Sequence, residues 1–166
     1  MKALVTGATG FIGGHVARQL LEAGVAVRAL VRPRSDMRRL EGLPVEVAWG
    51  DVADEESVRR AVEGCQAVYH TAALYAFWRP DPASFHRTNV DGTRRVLEAA
   101  LRAGVQRVVY TSTTAAVGLR PDGSPADESQ DPRPKDLVGA YKRTKYQAEL
   151  EARRFAARGL PVVIVN

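Results

Sequence analysis

Thr6-Gly7-Ala8-Thr9-Gly10-Phe11-Ile12-Gly13 joins a short apolar run, Lys2–Thr6, to a segment of helical periodicity, Phe11–Ala23. The first two glycines allow a tight turn and a close approach of a ligand to the backbone, and the third lets the helix pack against the sheet. A helix N-terminus also presents unpaired N–H groups and a partial positive charge. Between a strand and a helix, this stretch predicts a binding site for the pyrophosphate of a dinucleotide, with a plain tight turn as the alternative.

The rest of the chain continues the alternation of short β-rich runs and longer helical segments, which is typical of βαβ units around a parallel sheet. The predicted strands are Lys2–Thr6, Val25–Val31, Val45–Ala48, Ala67–Thr71, Val105–Thr111 and Leu160–Val165. The predicted helices are Phe11–Ala23, Asp36–Glu41, Glu55–Glu63, Ala83–Ala103 and Asp136–Arg158. Right-handed crossovers place helices on both faces of such a sheet. We therefore predict an α/β fold, a doubly wound parallel sheet of the Rossmann type.

Local signals support these boundaries. A glycine separates helix from strand at positions 24, 104 and 159, where a left-handed residue turns the chain back to the sheet. Asp54 precedes the helix at Glu55 and is expected to cap it, because its carboxylate can accept from the free N–H groups of the first turn.

Composition limits the classes of function. The 166 residues carry a net charge of +5, but the arginines are scattered over predicted helices, which favours solvated helix faces over a nucleic-acid surface. Cys65 is the only cysteine, so no intrachain disulfide can form. No stretch approaches the roughly 20 apolar residues of a membrane span. We expect a cytoplasmic protein with no nucleic-acid or membrane partner and no metal, since His15, His70 and His86 lack ligand-like spacing.

The second predicted strand ends in Leu30-Val31-Arg32-Pro33-Arg34. Sites that prefer NAD usually place a carboxylate about 20 residues beyond the glycines, on the ribose 2′-hydroxyl. This stretch has no carboxylate, whereas the guanidinium of Arg32 matches the geometry of a phosphate. The sequence therefore predicts NADP as the cofactor, with Arg32 on its 2′-phosphate; NAD beside exposed loop arginines is the alternative.

Tyr141 and Lys145 lie four residues apart in a predicted helix and therefore share one face. An ammonium group near a phenol stabilises the phenolate, which would make Tyr141 a usable proton carrier. The motif is short and common, so an ordinary amphipathic helix is the alternative.

A run of hydroxyl residues, 112–114, follows the predicted strand Val105–Thr111. It stands at the carboxyl edge of the sheet, where open α/β sheets bind ligands. A hydroxyl there can hydrogen-bond a substrate oxygen, or it can cap the local backbone.

Together these residues resemble the extended short-chain dehydrogenase/reductase family, the NAD-dependent epimerase/dehydratase family, over essentially the whole chain. The signature Thr-Gly-x-x-Gly-x-x-Gly is matched in full by residues 6–13. Further matches are Gly50-Asp51, His70-Thr71-Ala72-Ala73 and Asn89-Val90-Asp91-Gly92-Thr93. Leu30-Val31-Arg32-Pro33, Val109-Tyr110-Thr111-Ser112 and the run Gly139–Lys145 are most similar to the dihydroflavonol-reductase and hopanoid-associated sugar-epimerase branch.

The resemblance implies catalytic roles for Thr113, Tyr141 and Lys145. The neighbours of Thr113, Ser112 and Thr114, are the alternatives for the hydroxyl role. Tyr141 would move the hydroxyl proton, Lys145 would hold the nicotinamide ribose, and Thr113 would orient the substrate oxygen. The implied cofactor contacts are Thr6, Gly7, Thr9, Gly10, Phe11, Ile12, Gly13, Arg32, Asp51, Val52, Ala72, Ala73, Tyr141 and Lys145.

The implied reaction is hydride transfer between nicotinamide and a hydroxyl or carbonyl carbon of a small-molecule substrate, a sugar nucleotide or a ketone. Epimerisation, reduction and dehydration all stay open. A non-catalytic NADP-binding sensor or regulatory module is the alternative, but such a module need not retain Tyr141 and Lys145.

Family members run to roughly twice this length. We therefore expect residues 1–166 to be a truncated dinucleotide-binding domain without the C-terminal substrate domain, an enzyme by descent whose own activity is open, and a chain prone to form homo-oligomers through uncovered apolar surface. The aromatic stretch Tyr75-Ala76-Phe77-Trp78 either walls the nicotinamide or substrate pocket or packs a loop.

Overall fold

The structure is a computed structural model that describes residues 1–76 and 81–166. Phe77 and Trp78, two of the residues predicted to wall a pocket or pack a loop, lie outside the described residues.

In the described part of the chain, six strands form one parallel sheet with the order β3-β2-β1-β4-β5-β6. The strands are β1 (Lys2–Thr6), β2 (Ala26–Val31), β3 (Glu46–Trp49), β4 (Ala67–His70), β5 (Arg107–Thr111) and β6 (Val162–Val165). The chain moves outward from β1 to β3, then returns to β4 on the other side of β1. The order therefore reverses between β1 and β4, which is where doubly wound sheets bind their ligands.

The helices are α1 (Phe11–Glu22), α2 (Glu55–Val62), α3 (Ala83–Phe85), α4 (Gly92–Arg102) and α5 (Ala140–Ala157). A π-helical segment, His86–Asp91, joins α3 to α4, and short 3-10 turns form at Thr114–Ala116 and Pro134–Asp136. Asp54 caps α2 as predicted, accepting from the N–H of Ser57 at 3.1 Å.

Alternate side chains of β1 divide the core into two layers. Ala3 and Val5 pack with Leu20 of α1 on one face of the sheet. Leu4 packs on the other face with residues of α2, α4 and α5, among them Leu97. Because helices cover both faces, the predicted doubly wound α/β fold is confirmed. Burying a side chain such as Leu97 contributes about 1.5–3 kcal/mol to this arrangement.

The predicted helix Asp36–Glu41 is wrong: these residues form turns. The Asp36 carboxylate accepts from the backbone N–H of Arg38 at 3.0 Å and pairs with the Arg38 guanidinium, which closes a local turn. Gly42 then adopts φ +71°, which ends any helical path within six residues.

The last helix begins later than the predicted Asp136. Gly139 takes φ +90° and caps α5, so the chain turns sharply before Ala140. The predicted helix Ala83–Ala103 is present as one uninterrupted helical segment. Within it, residues 86–91 form a wider, π-helical turn. Such turns are rare and often occur at functional sites.

Candidate functional site

The turn between β1 and α1 requires its glycines. Gly7 has φ +71°, and a Cβ on it would lie 2.8 Å from the backbone nitrogen of Ala72. A Cβ on Gly13 would lie 2.3 Å from the carbonyl oxygen of Gly7, far inside the distance at which a Cβ can contact a non-bonded atom. The glycines therefore let β1, α1 and the segment after β4 approach one another closely. They leave a shallow, backbone-lined depression where the strand order reverses between β1 and β4.

The N-terminus of α1 faces this cradle. Gly10 caps the helix, and no side chain among the described residues satisfies its first N–H groups. Phe11 and Ile12 in the first turn are 67% and 53% exposed, although both are large and apolar. Free N–H groups and uncovered apolar side chains fit the pyrophosphate and the flanking rings of a dinucleotide.

A cleft of about 240 Å³ opens beside the glycine turn. Predicted cofactor residues that line it are Gly7, Thr9, Gly10, Arg32, Asp51, Val52, Ala72 and Ala73. The other predicted contacts, Thr6, Phe11, Ile12, Gly13, Tyr141 and Lys145, do not line it. Thr6 and Gly13 are buried in the turn, while Phe11 and Ile12 stand on its outer rim.

Six lining residues of the cleft were not predicted. They are Leu30, Ser35, Gly50, Thr71, Leu74 and Thr88. Gly50 and Thr71 belong to quoted motifs and Leu30 is the penultimate residue of β2, so the sheet topology could have indicated them. Thr88 lies in the π-helical segment, for which the sequence has no recognisable signal.

The end of β2 is basic. Arg32 is exposed, and its guanidinium makes no ion pair within residues 1–76 and 81–166. Arg38 is held by Asp36 at 2.5 Å, and the guanidinium of Arg39 stands 5.5 Å from the ring centre of Phe11. A second cleft of about 450 Å³, lined by Thr9, Gly14, His15, Arg18, Asp36, Arg38 and Arg39, adjoins the same turn. This side of the glycine turn therefore favours anions.

Thr113 and Tyr141 meet at the carboxyl end of β5. Partial burial raises the pKa of the Tyr141 phenol, and the neighbouring Thr113 hydroxyl opposes this rise. Ser112 instead points inward to Glu149, and Thr114 starts a 3-10 turn. Among the three candidate hydroxyls, Thr113 is the one whose side chain acts on Tyr141.

Tyr75 stands against Tyr141. Their ring centres are 4.8 Å apart and the planes meet at 87°, an edge-to-face contact. Tyr75 directly follows Leu74, which lines the 240 Å³ cleft. Tyr75 thus links the cleft to the Thr113–Tyr141 pair.

Lys145 is buried beneath that pair. Its side chain donates to the hydroxyl of Tyr110 at 2.9 Å and to the carbonyl of Thr111 at 2.7 Å, and only 3% of the residue is exposed. Burial lowers its pKa to about 8, against an opposing pull from Glu149. The structure shows no direct hydrogen bond from Lys145 to Tyr141; the two share a helix face one turn apart.

A buried polar network continues from the partner of Lys145 to the glycine turn. Thr93 Oγ1 lies 2.9 Å from His70 Nε2, and His70 Nδ1 lies 2.6 Å from Thr6 Oγ1. The ring of Tyr110, the partner of Lys145, lies 5.8 Å from the ring of His70, centre to centre. Complete burial lowers the pKa of His70 to about 3, so the ring is neutral. Each of its two nitrogens has a hydroxyl partner, as a buried polar group requires.

Asn89 ties the loop after β4 to the helix of Tyr141 and Lys145. Its amide oxygen accepts from the N–H of Leu74 at 2.7 Å, and its amide nitrogen donates to Leu74 O at 3.1 Å and to Thr144 Oγ1 at 3.0 Å. Asn89 lies in the π-helical segment, which turns its side chain into this position. One buried side chain therefore fixes the edge of the cleft relative to α5.

Two kinds of site are not found in the described part of the molecule. Its histidine, cysteine and acidic side chains nowhere cluster as the ligands of a metal would. None of its helices combines the length and the apolar character needed to cross a bilayer.

Comparisons with known proteins agree with this geometry. Residues 3–166 match the NAD dependent epimerase/dehydratase family. A putative dihydroflavonol 4-reductase of Synechocystis is 46% identical over 162 residues, covering 98% of this chain and 47% of that protein. Sterol demethylase protein B of Methylococcus capsulatus is 45% identical over 166 residues, covering 100% of this chain and 50% of that protein.

Among solved structures, the UDP-glucose 4-epimerase of Thermus thermophilus in complex with NAD superposes with a TM-score of 0.83 at 32% identity. The match covers 99% of this chain and 54% of the epimerase chain. The present chain thus spans about half the length of the proteins that it resembles.

Proposed function

Because the chain belongs to the NAD-dependent epimerase/dehydratase family, we propose that it carries the cofactor-binding half and the proton-transfer side chains of an oxidoreductase. The proposed reaction interconverts a hydroxyl and a carbonyl group at one substrate carbon. The observation that carries this proposal is the neighbouring pair Thr113–Tyr141, whose tyrosine packs on Tyr75 at the edge of the cleft lined by the glycine turn and shares a helix with the buried Lys145.

Tyr141 is the proposed proton carrier, and Thr113 is the proposed donor that orients the substrate oxygen. The Thr113 hydroxyl favours a negative charge on the phenol oxygen, against the larger effect of partial burial. A bound nicotinamide would supply or accept the hydride. Lys145 contributes a positive charge from below, and the contacts to Tyr110 and to Thr111 O hold that charge in place.

The residues proposed to hold the cofactor are the glycine turn, the first turn of α1 and the lining of the 240 Å³ cleft. No residue in the described part of the chain pairs with the guanidinium of Arg32, which supports NADP over NAD because the guanidinium is available to the 2′-phosphate. Arg38 and Arg39 nearby add positive potential on the same side.

A ketone or alcohol on an apolar molecule is the substrate that we favour. The sugar-nucleotide alternative is supported by the likeness to the Thermus epimerase. The apolar class is supported by the names of the more similar relatives, a dihydroflavonol reductase and a sterol demethylase protein. The exposed faces of Tyr75, Leu119 and Val138, which are 64%, 65% and 73% exposed, also favour apolar contacts.

Replacement of Tyr141 by Phe tests the proposed role. We expect Tyr141→Phe to bind NADPH normally and to lose at least about 100-fold in turnover of ketone or alcohol substrates, the usual contribution of a positioned acid or base. Tyr146→Phe, on the same helix, serves as the control and should keep full turnover. Normal cofactor binding with unchanged turnover in Tyr141→Phe would refute the role.

A further inference from the structure

Glu149 is a buried carboxylate that the proposed reaction does not use directly. Only 2% of the residue is exposed, and it lies one turn beyond Lys145 on α5. Tyr141, Lys145 and Glu149 therefore follow each other at four-residue intervals on one helix face. An ionised carboxylate in such a place needs several donors to offset its lost hydration.

Three donors reach it from three parts of the chain. Ser112 Oγ donates to Glu149 Oε2 at 2.5 Å, and Asn166 Nδ2 donates to the same oxygen at 3.2 Å. Arg153 donates to the other oxygen at 2.7 Å. Because the guanidinium of Arg153 and the amide nitrogen of Asn166 can only donate, the arrangement favours the ionised carboxylate.

These contacts converge on the segment that carries Thr113. Ser112 immediately precedes it, and Asn166, which follows β6, also donates to the carbonyl of Thr113 at 3.4 Å. Arg153 additionally pairs with Asp131 at 3.1 Å, in the long loop between β5 and α5. One carboxylate thus joins the ends of β5 and β6 to α5, at the point where Thr113 must face Tyr141.

We propose that Glu149 is a positioning residue, which fixes Thr113 at the end of β5 and sets the charge environment of Lys145. This inference rests on the proposed roles of Thr113, Tyr141 and Lys145. The charges and titratable groups that face Lys145 are Tyr110 from β5, His70 from β4, and Tyr141 and Glu149 from α5 itself. His70 is neutral, so Glu149 is the negative charge that favours the ammonium of Lys145 against burial.

The charge effect can be measured without cofactor or turnover. The chain has four lysines, Lys2, Lys135, Lys142 and Lys145. Labelling lysine with ¹³C at Cε gives four NMR signals whose shifts report the titration of each ammonium, and a Lys145→Met sample assigns the relevant one. We expect Lys145 to titrate near pH 8 in the native chain.

Glu149→Gln should lower the proton affinity of Lys145 on the order of tenfold, because a negative charge one helical turn away is removed from a buried setting. Arg153→Gln should act in the opposite direction and raise the pKa of Lys145, because it leaves the carboxylate without its cation. Arg153 is partly exposed, so this second variant tests the idea even where Glu149→Gln does not fold. Glu151→Gln, which loses a pair with Arg154 on the same helix, is the control and should leave Lys145 unchanged.

The positioning effect is read from backbone amide signals of the same samples. Glu149→Gln should shift the ¹⁵N–¹H signals of Ser112 and Thr113, whereas Glu151→Gln should not. Where turnover is measurable, the alkaline limb of the pH–rate profile should move to lower pH in Glu149→Gln. If Lys145 titrates at the same pH in all variants, the inference is overturned, whereas the proposed function would fail on the separate Tyr141→Phe test.

Discussion

The side chain of Lys145 donates to the phenolic oxygen of Tyr110 at 2.9 Å, and its nitrogen lies 4.5 Å from the centre of the same ring. The carbonyl of Thr111 accepts a second bond from it at 2.7 Å. Burial in an apolar core would otherwise expel a charged group, so these contacts retain a cation close to the proposed site. The tyrosine that secures the lysine is therefore on a neighbouring strand, not on the helix that carries both Tyr141 and Lys145.

Loss of the Tyr110 hydroxyl should destabilise the fold. Tyr110→Phe leaves the Lys145 ammonium with one acceptor fewer, and we expect the free energy of unfolding to fall by about 1.5–3 kcal/mol, the usual range for hydrogen bonds to charged groups. Urea denaturation followed by circular dichroism measures this. Tyr69→Phe is the matched control, since the Tyr69 hydroxyl has no hydrogen-bond partner among the residues described, and it should change stability little. Equal effects in both variants would mean that the Lys145–Tyr110 contact contributes nothing.

The buried His70 should make the chain acid-sensitive. Its pKa is about 3 in the folded chain, against 6.5 for an ordinary histidine, so the unfolded chain binds more protons between these values. The contribution of His70 is fully present above pH 6.5 and is lost at about 1.4 kcal/mol per pH unit as the pH falls toward 3.

Comparison of variants isolates this contribution from that of the acidic side chains. Stability measured from pH 7 to pH 4 should fall less steeply in His70→Gln than in the native chain. His15→Gln, at an exposed position on α1, should retain the native slope. A native slope in His70→Gln would show that His70 does not resist protonation in the folded chain.

Two adjacent glycines should differ in their tolerance of alanine. At Gly13 a Cβ would lie 2.3 Å from Gly7 O and 2.6 Å from Thr71 Oγ1, so the turn must shift. We expect Gly13→Ala to weaken NADPH binding more than tenfold and to cost about 1–3 kcal/mol of stability.

Gly14 is the control for this pair. Its Cβ would lie 3.3 Å from Ala8 O and from a flexible arginine side chain, and alanine favours a helix by about 1 kcal/mol. Gly14→Ala should therefore keep both cofactor affinity and stability near native values. NADPH titration and thermal melting measure cofactor affinity and stability in the two variants. Similar losses in both would show that Gly13 matters no more than Gly14.

Arg32 should discriminate between the two nicotinamide cofactors. Arg32→Ala removes the proposed partner of the 2′-phosphate, so NADPH affinity should fall at least tenfold while NADH affinity stays within about twofold. Arg34→Ala, two residues further along the exposed loop, should affect neither cofactor. If Arg32→Ala weakens NADH and NADPH equally, the assignment of the 2′-phosphate is wrong.

Local chemistry explains which elements could be predicted from the sequence. β1 matches its predicted bounds, Asp54 caps α2, and Gly24, Gly104 and Gly159 all take positive φ values after their helices. Each of these features depends on residues within one turn of the chain. Residues 36–41 show the limit of such reasoning, because Asp36 closes a local turn with Arg38 and Gly42 takes a left-handed conformation, so no helix forms there.

The network behind the site could not be predicted in this way. The partners His70, Thr93, Tyr110 and Lys145 come from four elements, and 35 residues separate Tyr110 from Lys145. Helical spacing alone suggests that the Lys145 side chain contacts Tyr141 directly. The packing of α5 against β5 instead places it within hydrogen-bond distance of Tyr110. The sequence thus indicates which residues carry the chemistry, and tertiary packing decides which of them touch.

Titration of the purified chain with NADPH and NADH, followed by nicotinamide fluorescence and by the shift in melting temperature, shows whether residues 1–166 hold a working dinucleotide site. We expect saturable binding of both cofactors, tighter for NADPH, with a melting temperature that rises as the ligand concentration exceeds the dissociation constant. Absence of saturable binding and of any thermal shift with either cofactor would contradict the claim that the glycine turn and its cleft form a working dinucleotide site.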